Sequence, residues 1–196
     1  MKKFFVSLTV PAIAILMASC SKPQDNFIGK WNPDVSSLEV TLGEGIPEKF
    51  KSQAETSLAE MKKDSEEMQK KADEFSIEFK EDGTGSASED GEAKDFKWAL
   101  EGDNLLLTTS DEKIHEGEDI SFKLAVKENT ADKIVVELTA ESLWAQLKEQ
   151  AKEDEFTQLE QMASGFLDGK TIDEVIKGNS FSIAFKKSAV ETAATE

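Results

Sequence analysis

Ser76-Ile77-Glu78-Phe79-Lys80-Glu81-Asp82-Gly83-Thr84 is the stretch from which the fold is read. Ile77 and Phe79 alternate with polar neighbours, the period of two that gives a strand one core face and one wet face. Asp82-Gly83 is a dipeptide that turns a chain back on itself. The same grammar continues downstream. Thr84 to Ser88 reads as a small return strand ended by Asp90-Gly91, and Phe96, Trp98 and Leu100 alternate before a Gly102-Asp103 turn. Leu105 to Thr109 follows, and a polar turn around Ser110 to Glu112 leads to Lys113-Ile114-His115. Ile120, Phe122, Leu124 and Val126 give the cleanest alternation in the chain, and Ile134, Val136 and Leu138 form the next strand. Short strands joined by tight turns predict an antiparallel meander with one face over a single core.

On either side of this block the period changes. Upstream, Pro47 suits the start of a helix. Ala54, Leu58, Met61, Met68, Ala72 and Phe75 recur at helical spacing, giving a narrow apolar stripe over residues 47–75. The stripe reads either as a helix packed on the domain or as a seam for a partner protein. Before it, Leu38 to Leu42 alternates as a short strand. Downstream, residues 140–177 form a second helical block, with Leu143, Trp144, Leu147 and Ala151 on one side and an acidic interruption at Glu153-Asp154-Glu155. Within it Thr171-Ile172-Asp173-Glu174 is a capping box that opens a short helix ended by Gly178. Phe181, Ile183 and Phe185 alternate in a final strand, and residues 188–196 read as a flexible tail.

Composition removes several functions. The 196 residues carry a net charge of −17, with 38% hydrophobic residues, 12 Phe and 3 Trp, enough to build one core. An acidic body is repelled by phosphate backbones, so nucleic-acid binding through a basic face is excluded. A polybasic membrane patch is excluded on the same ground. The chain has no Arg, so no bidentate clamp for a carboxylate or phosphate is available. Its single Cys rules out an internal disulfide and a Cys-rich zinc site.

That cysteine has a position that explains it. Lys2 and Lys3 precede an apolar stretch from Phe4 to Met17, shorter than the ~20 residues of a membrane-spanning helix, and residues 1–19 read as a removed signal peptide. Met17-Ala18-Ser19-Cys20 resembles the bacterial lipobox, with Met17 in place of the usual Leu. The resemblance implies cleavage before Cys20, a diacylglyceryl group on its sulfur, and a palmitate-type lipoprotein held to a membrane of the cell envelope. Several acyl chains on one residue give stable anchoring. Loss of Lys2 and Lys3 leaves the mature chain with a net charge of −19. Residues 20–26 are a polar tether, and Ser21 in second place resembles the outer-membrane sorting class.

The folded body, residues 27–187, opens on Phe27-Ile28-Gly29-Lys30-Trp31. Gly29-x-Trp31, the Phe79 to Thr84 strand ending in Asp-Gly-Thr, and the Trp-bearing strand from Phe96 to Leu100 resemble bacterial lipocalin-like lipoprotein domains. The resemblance covers most of residues 27–138 and 179–187. It implies a mainly β (α+β) fold: a lipocalin-like antiparallel β-meander or barrel. A long helix is inserted after the first strands and a helical block precedes the last strand, with the Gly-x-Trp tryptophan closing one end. It transfers no catalytic residue.

Candidate chemistry is sparse. His115, the only histidine, sits among Glu116, Glu118 and Asp119 with no nucleophile named nearby, and reads as an exposed turn residue. None of the acidic clusters has the spacing of a calcium loop, so no metal or cofactor is expected. The expectation is a non-enzymatic protein. Trp31, Phe79, Phe96, Trp98, Phe122, Phe181 and Phe185 occupy inward strand positions, where aromatics either fill a small barrel or line an apolar pocket for one ligand. Three partners follow: a membrane through lipid on Cys20, a small apolar or amphipathic molecule in the barrel, and an envelope protein on the helical segments.

Overall fold

A computed structural model describes residues 22–109, 119–150, 157–158, 160–162, 165, 167 and 169–188. Cys20, His115 and the tail from residue 189 lie outside the described residues. The architecture is a closed antiparallel barrel of eight strands in which every strand pairs with its neighbours in sequence and β1 closes onto β8. The strands are β1 Gly29–Thr41, β2 Ser76–Phe79, β3 Thr84–Glu89, β4 Glu92–Glu101, β5 Asn104–Thr109, β6 Ile120–Asn129, β7 Lys133–Thr139 and β8 Ser180–Lys187. Helices α1 (Glu48–Lys63) and α2 (Ser65–Ala72) lie between β1 and β2, and α3 (Ala140–Gln150) and α4 (Ile172–Ile176) lie between β7 and β8. The fold is a mainly β barrel with helical insertions; the alternation predicts its antiparallel meander, and the resemblance implies the barrel.

The two ends of the barrel differ. Tight turns join β2 to β3, β4 to β5 and β6 to β7 at one end. The helical insertions and the link between β5 and β6 all leave from the other. Charged residues such as Glu78, Lys97 and Lys123 are exposed on the outer face, while Trp31, Phe79, Trp98, Leu105, Ile134 and Val136 are buried inside. That is the reverse of a lipid-embedded barrel, whose outer face is apolar. Among the described residues no helix is long and apolar enough to cross a membrane.

Two differences from the sequence reading concern the first strand and the first insertion. Trp31 and residues 38–41 of the Leu38 to Leu42 segment belong to one strand, β1, whose pairing with β8 shifts register between Asp34 and Glu39. Side chains hold this bulge in place. Ser37 Oγ accepts a hydrogen bond from the Ala184 amide at 2.7 Å, and Asp34 pairs with Lys186 at 2.7 Å. The insertion is two helices that meet at Asp64, and the Asp64 amide still donates to Glu60 O. Leu58, Met61 and Met68 are half-buried and line a groove with Val35, Ser36 and Leu38 of the bulge. The stripe thus turns toward β1.

The Asp-Gly-Thr turn forms as its residues demand. Gly83 has φ +81°, and Asp82 Oδ1 accepts from the Thr84 amide at 2.9 Å and from Thr84 Oγ1 at 2.6 Å. Gly85, the next inward position, faces Phe96. A Cβ there would stand 2.5 Å from the Phe96 ring and 2.6 Å from the Glu78 carbonyl, so only glycine lets that ring lie across β3.

Candidate functional site: an apolar cavity in the barrel

The closed end is packed solid. A single 3₁₀ turn over Pro23–Asn26 crosses the barrel mouth there, tied by Asn26 Nδ2 donating to Asn129 O at 3.2 Å and Asn129 Nδ2 donating to Pro23 O at 2.7 Å. It delivers Phe27, fully buried, onto Phe79 at 5.6 Å between ring centroids and Trp98 at 5.7 Å. Phe79 meets Trp98 at 5.1 Å and Phe96 at 5.7 Å, both edge to face, a geometry aromatic rings prefer. The two inward tryptophans find partners for their N–H groups. Trp31 Nε1 donates to Phe27 O at 2.7 Å, and Trp98 Nε1 lies within reach of Lys80 O at 3.1 Å and Thr84 O at 3.0 Å. Lys187, at the end of β8, lays its ammonium 5.3 Å from the Trp31 ring centroid.

Above this plug the interior is hollow. A cavity of about 210 Å³ is lined by Phe27, by Ile77 and Phe79 of β2, and by Leu105 and Leu107 of β5. Leu124 of β6, Ile134, Val136 and Leu138 of β7, and Phe181, Ile183 and Phe185 of β8 complete it. Every lining residue is apolar. Phe181 is 43% exposed although it lines the cavity, so the cavity reaches the surface at the open end, and Phe122, 39% exposed, stands at the same end.

Of the seven aromatics singled out from sequence, Phe79, Phe181 and Phe185 line the cavity. Trp31 and Trp98 fill the closed end instead, because their hydrogen bonds and ring contacts draw them into the plug. Phe96 packs on Phe79 beside Gly85, and Phe122 is at the rim. The aliphatic members (Ile77, Leu105, Leu107, Leu124, Ile134, Val136, Leu138 and Ile183) are legible only as inward strand positions.

Elsewhere several carboxylates are held by hydrogen bonds within the fold. Burial raises the Asp34 carboxyl, but hydrogen bonds from Lys186 and Ser36 outweigh it and hold the group below the usual carboxylate range. The Thr171 amide holds Glu174 low as its half of the capping box, and the Gly178 amide does the same for Glu141. Among the described residues no three His, Cys, Asp or Glu side chains gather where they could hold a metal ion. No protein-family model, no curated protein and no solved structure matches this chain.

Proposed function

We propose that this protein is a lipid-anchored, lipocalin-like binding module of the bacterial cell envelope, and that its barrel takes up one small apolar molecule. The observation that carries the reading is the 210 Å³ cavity with an all-apolar wall. At about 24 cal/mol per Å³ of void, leaving it unfilled forgoes on the order of 5 kcal/mol of packing. A barrel serving only as a scaffold gains by filling that space, as its own closed end does. The volume also bounds the ligand. It exceeds the ~150 Å³ apolar cavity known to admit benzene and falls below the ~300 Å³ at which drug-sized sites begin. One short alkyl chain or one ring fits. With no charged or hydrogen-bonding group in the wall, any polar head stays at the rim.

Anchoring rests on the Met17-Ala18-Ser19-Cys20 lipobox. The Gly29-x-Trp31 start supports the lipocalin-like reading, since Trp31 lies on the first strand and is fully buried in the closed end.

Thermal unfolding with octanol as the probe tests the binding function. A molecule that binds only the folded state raises the melting temperature with its concentration. Octanol is expected to raise the Tm of the native protein, and Val136→Phe, which places a ring in the cavity, is expected to abolish that rise. A native protein indifferent to octanol, or a variant that responds equally, overturns the reading.

A further inference from the structure

The chain enters the barrel at its packed end. Lys22 is already seated there, its amide donating to Asp25 Oδ2 at 2.9 Å, and Pro23 is held by Asn129 of the β6 terminus. Cys20 is two residues before Lys22, a span of at most about 7 Å even when fully extended. The cavity opens at the opposite end, beside Phe181. β1 runs 13 residues between the two ends. With a rise of ~3.3 Å per residue and a tilt of ~40°, that separates them by about 30 Å. So short a connector keeps the closed end against the bilayer in which Cys20 is rooted, and the opening comes down to that bilayer only if the barrel lies flat.

We propose that the barrel stands on its closed end, so that its cavity opens away from the bilayer holding Cys20 and exchanges ligand with the aqueous side rather than with those lipids. The inference rests on the lipid anchor proposed above. It assigns the two ends different neighbours: the Lys22–Asn26 turn and the β6–β7 turn face the membrane, and the rim at Phe122 and Phe181 faces the aqueous compartment.

Fluorescence quenching in vesicles decides it. Lipidation consumes the only thiol, so one introduced cysteine gives a unique site for a bimane label. Asp132→Cys places the label in the β6–β7 turn at the closed end, and Glu92→Cys places it at the β3–β4 hairpin of the open end; both side chains are exposed. The full-length lipidated protein is reconstituted in phosphatidylcholine vesicles carrying a nitroxide lipid. The expected result is loss of fluorescence at residue 132 and none at residue 92. Loss at residue 92 equal to or greater than that at residue 132, in protein that sediments with the vesicles, overturns the orientation and leaves the anchor standing. Protein that fails to sediment with vesicles overturns the anchor and the orientation together.

Discussion

Asp34 shows how one carboxylate secures an irregular strand. Its Oδ2 meets Lys186 Nζ at 2.7 Å across the β1–β8 seam, and its Oδ1 accepts from the Ser36 amide at 3.2 Å and Ser36 Oγ at 2.6 Å. These bonds favour the charged form, so the folded-state pKa lies below that of the unfolded chain. Such a group contributes stability that is fully present above about pH 4 and is lost as pH falls through the folded value. Asp34→Asn is therefore expected to lower the melting temperature at neutral pH. The gap from the native protein should narrow steadily as the buffer is taken below pH 4, read by circular dichroism. A gap independent of pH would place the contribution of Asp34 in packing alone.

At the level of elements, a glutamine stands in for the missing strand at two places where one strand outruns its neighbour. Pairing of β1 with β2 ends at Trp31. Beyond it, Gln69 of α2 accepts from the Val35 amide at 2.8 Å and donates to Pro33 O at 3.0 Å. Pro33 lacks an N–H on that same side, where no strand would receive it, which is where a strand tolerates proline. Pairing of β6 with β7 stops at Ala125, and Gln146 of α3 accepts from the Lys123 amide at 2.5 Å and donates to Lys123 O at 3.2 Å. Each side-chain amide reproduces the two bonds of a strand peptide. Gln69→Ala is expected to cost about 1–3 kcal/mol, the range for stranding partly buried backbone groups. An exposed glutamine elsewhere on a helix would cost under about 0.5 kcal/mol. Urea unfolding monitored by tryptophan fluorescence measures the difference.

These same elements mark where the sequence could be read and where it could not. β2 to β8 announce themselves because inward residues recur at every second place, and Asp-Gly or Gly-Asp punctuates the run from β2 to β5. The capping box at Thr171 and Glu174 forms as written, each residue bonding the other's backbone. β1 was harder, because Asn32-Pro33-Asp34-Val35-Ser36-Ser37 has the composition of a loop and is held as strand by distant partners, Lys186, Gln69 and Ala184. The cavity was out of reach for another reason. Alternation tells which face of a strand is apolar; whether facing apolar side chains meet or leave a gap depends on barrel diameter and on where the rings of Phe27, Trp31 and Trp98 fall.

For the molecule as a whole, charge and shape work against each other. The chain carries a net charge of −17, and charged residues such as Glu78, Lys97 and Lys123 stand on the outside of a small barrel with an unfilled interior. Self-repulsion of this kind weakens the compact state and is relieved by salt. Raising ionic strength from about 0.01 M to 0.15 M shortens the Debye length from ~30 Å to ~8 Å. The melting temperature is expected to rise across that interval, without ligand and in a non-specific salt. A flat response would show that Lys127–Glu137, Lys133–Glu128 and pairs like them already neutralise the surface locally.

The seam between β1 and β8 joins residue 31 to residue 187 and residue 41 to residue 180. Every other pairing in the barrel can be made as soon as the next strand emerges during synthesis. β1 alone must wait for the last strand, exposing a bare edge of 13 residues that any passing strand could occupy. A chain cut short before Ser180 would keep that edge permanently, along with the orphaned edge of β7, and is a ready seed for intermolecular association.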